Sequence, residues 1–423
     1  MIKPWAYFAV MTTLCGLIAS VMTTYWGTGA SGSGVAELIG YLNGINYPDF
    51  IGIKTLITKI IGVTLAVSGK LCVGKEGPLA HIGANIGLLV LYIPNRFMFL
   101  RNDEKKRAYV AAGASAGVSV AFGAPIGGAL FAYEMSKPNT FWRFSMIWKV
   151  FFACSVANLT LAILTSLYSN EFQGWNVSVL KFGDVVDNYK GTDYWILVPS
   201  SLFIGVLGGL YGPLFININF RINAWRKNNI KSKGAKVIEA GFFCFLSASI
   251  FYFVPYIMND CKEQGKNDGE KIRQEAWCPQ SDDETIINYN PLATIMWSSE
   301  GEIIRNLMRQ NFDITIPKLA VFALVWQILT AITYGVNVPA GLFLPGMVIG
   351  SATGELLARC MHEFHWIDEG MYGDVRKHFV VLGCSSFLAG YTRMTYSLAV
   401  IMMETSQSIS IFIPIIFTII VSN

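Results

Sequence analysis

The stretch Gly74-Lys75-Glu76-Gly77-Pro78-Leu79-Ala80-His81-Ile82-Gly83-Ala84-Asn85-Ile86-Gly87 places a lysine and a glutamate inside sequence that otherwise reads as membrane-buried. A carboxylate at the bilayer centre costs at least about 2.5 kcal/mol, so an ionisable residue at that depth is read as functional. A second stretch, Gly341-Leu342-Phe343-Leu344-Pro345-Gly346-Met347-Val348-Ile349-Gly350-Ser351-Ala352-Thr353-Gly354, aligns with the first without gaps at an offset of 267. The two share Gly74/Gly341, Pro78/Pro345, Ile82/Ile349, Gly83/Gly350 and Gly87/Gly354. Farther on, Gly113–Ser136 aligns with Gly383–Ser406 at an offset of 270, with Glu134 matching Glu404. Duplicated halves carrying Gly/Pro-interrupted apolar segments point to a transporter-type fold with its binding site between the repeats.

Composition agrees. Of 423 residues, 53% are hydrophobic and only 14% charged, which excludes an ordinary soluble multidomain chain. Apolar runs long enough, or nearly long enough, to cross a membrane recur at Tyr7–Val21, Tyr194–Phe220, Ala240–Tyr256, Leu319–Tyr334 and Leu398–Val421. About ten to twelve helical segments fit, several of them short. The expected architecture is therefore a single all-α polytopic membrane domain over residues 1–423, with repeat halves near 1–225 and 236–423 and broken, tilted helices. No cleavable signal peptide is evident at Met1–Val10, and the first apolar segment can itself direct insertion.

Charge matters here by side rather than by sum, and the net +4 says little. Arg221, Arg226, Lys227, Lys231, Lys233 and Lys236 form a basic turn without an acidic residue, which is expected in the cytosol. One crossing later, Asp260–Glu284 carries eight acidic and four basic residues and is expected on the opposite side. Cys261 and Cys278 lie in that polar loop, where a disulfide can form. The other six of the eight cysteines lie mostly in apolar runs and there is no C-x-x-C pair, so metal binding is not expected.

Three glycine-rich breaks carry the chemistry: Gly32-Ser33-Gly34-Val35-Ala36-Glu37, Gly74–Pro78 and Gly341–Pro345. Each precedes or opens an apolar segment. At such a break the first helical N–H groups have no intrahelical partner and sit at the positive end of the helix dipole, so backbone binds an anion without a full positive charge. That moderate attraction suits a pore, because an ion bound too tightly does not leave. The Glu76 carboxylate can take the place of a permeating anion, and protonation would release it; its blander alternative is a helix cap or a pair with Lys75.

The three motifs together resemble the CLC family of chloride channels and chloride/proton exchangers, from about Gly27 to the C-terminus. Gly74–Pro78 matches the family's gating-glutamate motif, Gly32–Glu37 is similar to its G-S-G-I-P-E motif and Gly341–Pro345 to its G-x-F-x-P motif. The resemblance implies a homodimer with one anion pathway per subunit and inverted repeats of broken helices. It further implies Glu76 as the gate and Ser33 as a hydroxyl donor at the central anion site. The backbone of Leu342 and Phe343 would bind the anion, with Gly34, Lys75 and Gly77 beside it. Serine rather than proline at position 33 favours chloride over nitrate.

Four departures qualify this. Val35-Ala36 replaces Ile-Pro in the first motif. In Phe131-Ala132-Tyr133-Glu134-Met135-Ser136, Met135 stands where exchangers usually carry a second glutamate that relays protons, which favours passive conduction. The retained Glu134 is expected to be structural, like its repeat partner Glu404, with a compensating proton role as the alternative. The family's first long helix and its last helix, together with the cytosolic CBS domains of eukaryotic members, are not matched here.

Other residues carry less. His362-Glu363-Phe364-His365 is read as a solvated loop, since its histidine spacing is not that of a zinc helix. His81 is a conceivable proton relay, though a helix would turn it to a different face from Glu76. Trp142, Trp148, Trp195 and Trp225 read as interface belts, and Asn176-Val177-Ser178 as a sequon in an outward loop. Asn158-Leu159-Thr160 lies in an apolar run and is expected to be inaccessible.

The leading expectation is a gated chloride channel, with a chloride/proton antiporter as the alternative and a non-conducting truncated subunit as the third. Chloride, the lipid bilayer and a second copy of the chain are the expected partners, with protons added in the antiporter alternative; nucleic acid, cofactors and enzymatic activity are not expected. Tyr41-Leu42-Asn43-Gly44 is similar to intracellular and plant-type members, favouring an endolysosomal or vacuolar membrane over the plasma membrane.

Overall fold

The computed structural model describes residues 2–93, 98, 101–136, 145–169, 192–265, 276–279, 286–309, 312–367 and 369–423. Trp142 and the Asn176-Val177-Ser178 sequon lie outside them. The described chain is all-helical apart from one small antiparallel pair, β1 (Lys262–Gly265) with β2 (Ile286–Tyr289).

The first half runs α1 (Ile2–Val21), α2 (Val35–Leu42), α3 (Ile53–Ser68), α4 (Glu76–Val90), α5 (Asp103–Phe122), α6 (Pro125–Ser136) and α7 (Ser145–Ser169). Then come two long helices, α8 (Thr192–Asn229) and α9 (Lys233–Ile257). After the β pair follow α10 (Pro291–Trp297), α11 (Glu300–Met308), α12 (Ile316–Thr333), α13 (Phe343–Glu363), α14 (Glu369–Thr392), α15 (Tyr396–Ser406) and α16 (Phe412–Ser422).

Five of these helices are long and apolar enough to cross a bilayer, at Ile2–Trp26, Ser145–Tyr168, Trp195–Asn229, Lys233–Ile257 and Ile316–Thr333. Sixteen α-helices among the described residues exceed the ten to twelve expected from hydropathy. The excess comes from breaks that a hydropathy window averages away. Leu398–Val421, expected as one crossing, is divided into α15 and α16 at Gln407, whose φ of 54° lies in the left-handed region and stops the helix.

The repeat is visible in the packing. Helices α4 and α13 start at equivalent positions, Glu76 and Phe343, and lie on α5 and α14 respectively. A Cβ on Gly83 would lie 2.1 Å from the Gly113 carbonyl oxygen, and one on Gly350 2.4 Å from that of Gly383. Only glycine permits this backbone approach, so the same contact is built twice from residues matched in the alignment. Helix α8 packs on α14 and α16, and α9 on α1.

The basic cluster spans the end of α8, the connecting turn and the start of α9, whose 25 residues extend about 37 Å, enough to reach the other side of a bilayer. There Cys261 and Cys278 are joined in a disulfide. Asp313, on the loop before α12, pairs with Lys262 at 3.0 Å and Arg359 at 3.1 Å, tying the disulfide loop to α13. Burial alone would raise the Asp313 pKa, but hydrogen bonds from Lys262 and Arg359 outweigh it and hold the group below the usual aspartate range. Trp148, Trp195 and Trp225 are exposed near helix ends, as interface anchors are.

Candidate functional site

The three glycine breaks meet. Gly74 and Gly341 exchange both backbone hydrogen bonds, N–H to carbonyl at 2.7 and 2.9 Å, as an isolated antiparallel bridge. Gly32 forms a parallel bridge to Pro339, donating to the Val338 carbonyl at 3.0 Å and accepting from Ala340 N–H at 3.1 Å. An antiparallel pair has a local two-fold axis, so the bridge joining the two repeats lies at their pseudosymmetry centre.

From that centre α4 and α13 run outward. Lys75 and Leu342 are their N-caps, and neither helix has a side-chain cap. Pro78 and Pro345 occupy the third helical position in each, where proline's missing N–H is one that would have lacked a partner. What remains at each start is a small set of backbone donors without a side-chain cap. The Ser33 hydroxyl joins them, since a Cβ on Gly77 would lie only 2.1 Å from its oxygen. Gly34 has φ +81° as the N-cap of α2, and a Cβ there would meet His81 Nδ1 at 2.4 Å, so glycine is required on both counts.

Glu76 is 1% exposed. Its carboxylate lies near the N–H groups of Lys75, Glu76 and Leu344, yet neither oxygen has a hydrogen bond of good geometry. A buried carboxylate without a committed partner is costly unless the site uses it. Lys75 and Glu300 both lie within electrostatic reach of it. The Phe343 ring packs edge-on against Phe122 at 6.0 Å and Phe131 at 6.5 Å, which fixes the start of α13.

Ser33, Lys75, Glu76, Gly77, Leu342 and Phe343 are thus brought together, with Gly34 directly behind. Glu134 and Met135 are not part of this group. Glu134 accepts from Thr395 N–H at 2.7 Å, Thr395 Oγ1 at 3.0 Å, Ser397 N–H at 3.2 Å and the Ser397 hydroxyl, capping α15. Glu404 returns the interaction by accepting from Ile126 and Gly127 N–H at 3.2 and 2.8 Å at the start of α6. Met135 is buried in the core.

His81 is fully buried, donating from Nε2 to the Phe50 carbonyl at 2.8 Å and stacking on the Phe50 ring. Its other nitrogen faces Gly34, not Glu76. His362 falls in the last turn of α13 and packs on Tyr372, where a solvated loop was expected; the helix continues through it because the next left-handed residue is His365, at φ 57°. Asn158 lies inside α7 and donates to the Cys154 carbonyl at 3.1 Å.

One contributor escaped the sequence reading. Lys59, fully buried in α3, donates to the carbonyls of Ala30 and Gly32 at 3.0 and 2.8 Å and so secures the Ser33 strand. The signal was available, since Lys59 lies six residues inside the apolar helix Ile53–Ser68, well past Lys54 at its start, and meets the same criterion that drew notice to Glu76. A cavity of about 650 Å³ between α4, α5, α6 and α7 is lined by Glu104, Lys105, Ser136 and Lys149 among others, and none of the three motifs reaches it.

A bridged pair of uncapped helix starts, repeated across a pseudo-two-fold with a buried carboxylate at one of them, defines an inverted-repeat membrane protein. The family model described as voltage gated chloride channel matches residues 15–423, and the chain belongs to that family. It is 33% identical over 99% of its length to chloride channel protein A of Dictyostelium discoideum, covering 52% of that protein. It is 32% identical over 96% of its length to H(+)/Cl(-) exchange transporter 7 of Rattus norvegicus, covering 50% of it. The chain spans about half the length of these curated relatives. Its fold matches the crystal structure of a slow cyanobacterial Cl−/H+ antiporter with a TM-score of 0.72 at 18% identity, covering 99% of this chain and 82% of that one. A eukaryotic CLC transporter matches at 0.71 and 21% identity, covering 100% and 63%.

Proposed function

We propose that the chain forms a gated, passive chloride pathway across a membrane, with Glu76 as its protonatable gate. The observation that carries this reading is the fully buried Glu76 carboxylate, set beside the backbone N–H groups of Lys75, Glu76 and Leu344 where two uncapped helix starts meet near the Ser33 hydroxyl. Charged, Glu76 competes with chloride for those donors. Protonated, it no longer does, and the anion takes the backbone N–H groups of Leu342 and Phe343 together with the Ser33 hydroxyl. Neutral donors hold it loosely enough for it to pass on.

Passive conduction rather than exchange is supported by Glu134 and Met135. The glutamate is committed to four donors on α15, and the methionine has no proton to carry. The reading favoured next is chloride/proton antiport, because a relative at 32% identity bears the name of an exchange transporter. Reversal potentials of the reconstituted protein at fixed chloride discriminate the two: a shift with the proton gradient overturns passive conduction. Flux no greater than that of empty vesicles would leave only a non-conducting subunit. Glu76→Gln is expected to keep anion flux and lose its dependence on pH; a wild-type pH profile in this variant would remove Glu76 from the gate.

The assembly that fits the proposal is a homodimer with one pathway per subunit, in an endolysosomal or vacuolar membrane. Subunit counting on single reconstituted particles tests the first, and localisation of the tagged chain the second.

A further inference from the structure

Tyr391, near the end of α14, places its hydroxyl on the filter backbone. It donates to the Leu342 carbonyl at 2.9 Å, which also accepts the Gly346 N–H at 3.1 Å. That carbonyl belongs to the same peptide as the Phe343 N–H. In a planar trans peptide the two groups point in opposite directions, so a donor that fixes the carbonyl also fixes where the N–H points. A second donor on the carbonyl polarises the peptide and makes its N–H a stronger donor.

The ring has a built seat. It packs against Phe215 at 5.8 Å, and a Cβ on Gly346 would come within 2.0 Å of the tyrosine oxygen, so the glycine makes room for the hydroxyl. Tyr391 also lies within electrostatic reach of Glu76. The other repeat lacks this device: at the 270 offset the matching residue is Ala121, and the Lys75 carbonyl accepts its helical bond from Leu79 N–H at 2.9 Å. A hydroxyl present in one half only is not explained by the repeat.

We propose that Tyr391 is a positioning residue that holds the Leu342–Phe343 peptide toward the anion and thereby sets chloride affinity and selectivity. This rests on the anion-pathway reading above. Tyr391→Phe removes one hydrogen bond while keeping the buried ring, and the expected loss in chloride affinity is roughly three- to tenfold. The assay is calorimetric titration of the purified full chain with chloride, alongside chloride-to-nitrate flux ratios in vesicles and thermal melting. The expected result is weaker chloride binding and a chloride-to-nitrate ratio closer to one. Gly346→Ala, which displaces the ring without altering its chemistry, should reproduce both changes. Lowered melting with unchanged affinity and selectivity would assign Tyr391 to packing and overturn the inference alone. Wild-type protein that binds no chloride would overturn the underlying function as well.

Discussion

Glu134→Gln separates a structural carboxylate from a proton carrier. In the wild type, one carboxylate oxygen accepts from the N–H and hydroxyl of Thr395 and the other from the N–H and hydroxyl of Ser397. A glutamine offers one accepting oxygen. Turned to keep the Thr395 pair, it presents its NH2 group to Ser397, whose hydroxyl can rotate to accept but whose backbone N–H is left without a partner. An orphaned buried donor costs about 1–3 kcal/mol, and the retained bonds also lose their charge assistance, so a destabilisation of about 2–3 kcal/mol is expected. Glu404→Gln loses one of two backbone bonds in a wetter setting, and about 1 kcal/mol is expected. Thermal melting of the purified protein should therefore fall in both variants, by about 3 °C for Glu134→Gln and about 1 °C for Glu404→Gln. Reversal potentials in a pH gradient should stay at the wild-type value. A Glu134→Gln protein that melts like wild type but shows altered proton coupling would refute the capping argument and make Glu134 the relay.

Two further expectations test the architecture. Gly83→Ala forces α4 from α5 by about 1.3 Å to regain the 3.4 Å of an ordinary contact, and because the obstacle is backbone the cost should approach the upper end of about 1–3 kcal/mol, read as lowered melting. Gly234→Ala, which meets open space on α9, should melt no lower than wild type; equal melting of both variants would refute the close packing of the repeat. Asp313 titrates below its ordinary value when folded, so its contribution is present above the unfolded pKa of roughly 4 and is lost as pH falls through the depressed folded pKa. Asp313→Asn should accordingly lose less stability than wild type on acidification below about pH 4, measured by melting across pH; parallel profiles would remove the Lys262–Asp313–Arg359 tie from the acid response.

Much of this was legible in the chain. The 267 offset places the starts of α4 and α13 at Glu76 and Phe343, and the 270 offset brings α6 and α15 to matching ends at Ser136 and Ser406. Repeats are readable because glycines at close crossings cannot be exchanged for anything larger, which leaves a regular trace. The division of Leu398–Val421 was not legible, because mean hydropathy carries no information about a left-handed residue such as Gln407. Lys59 and Tyr391 escaped for another reason. A lysine in an apolar helix and a tyrosine beside other aromatics acquire meaning only from the carbonyls they reach, Ala30, Gly32 and Leu342, and those contacts are made by the tertiary fold.

The Gly74–Gly341 bridge also bears on biosynthesis. As the chain emerges from the ribosome, the amide and carbonyl of Gly74 enter the membrane long before residue 341 exists to pair with them. Unpaired backbone groups in hydrocarbon cost several kcal/mol each, and contacts so distant in sequence form slowly. Until the second half arrives, the first must shelter those groups with water, a chaperone or a non-native partner. The bridged helix starts are therefore among the last parts to form, and a nascent chain arrested between the repeats would expose a polar gap that membrane quality control can recognise.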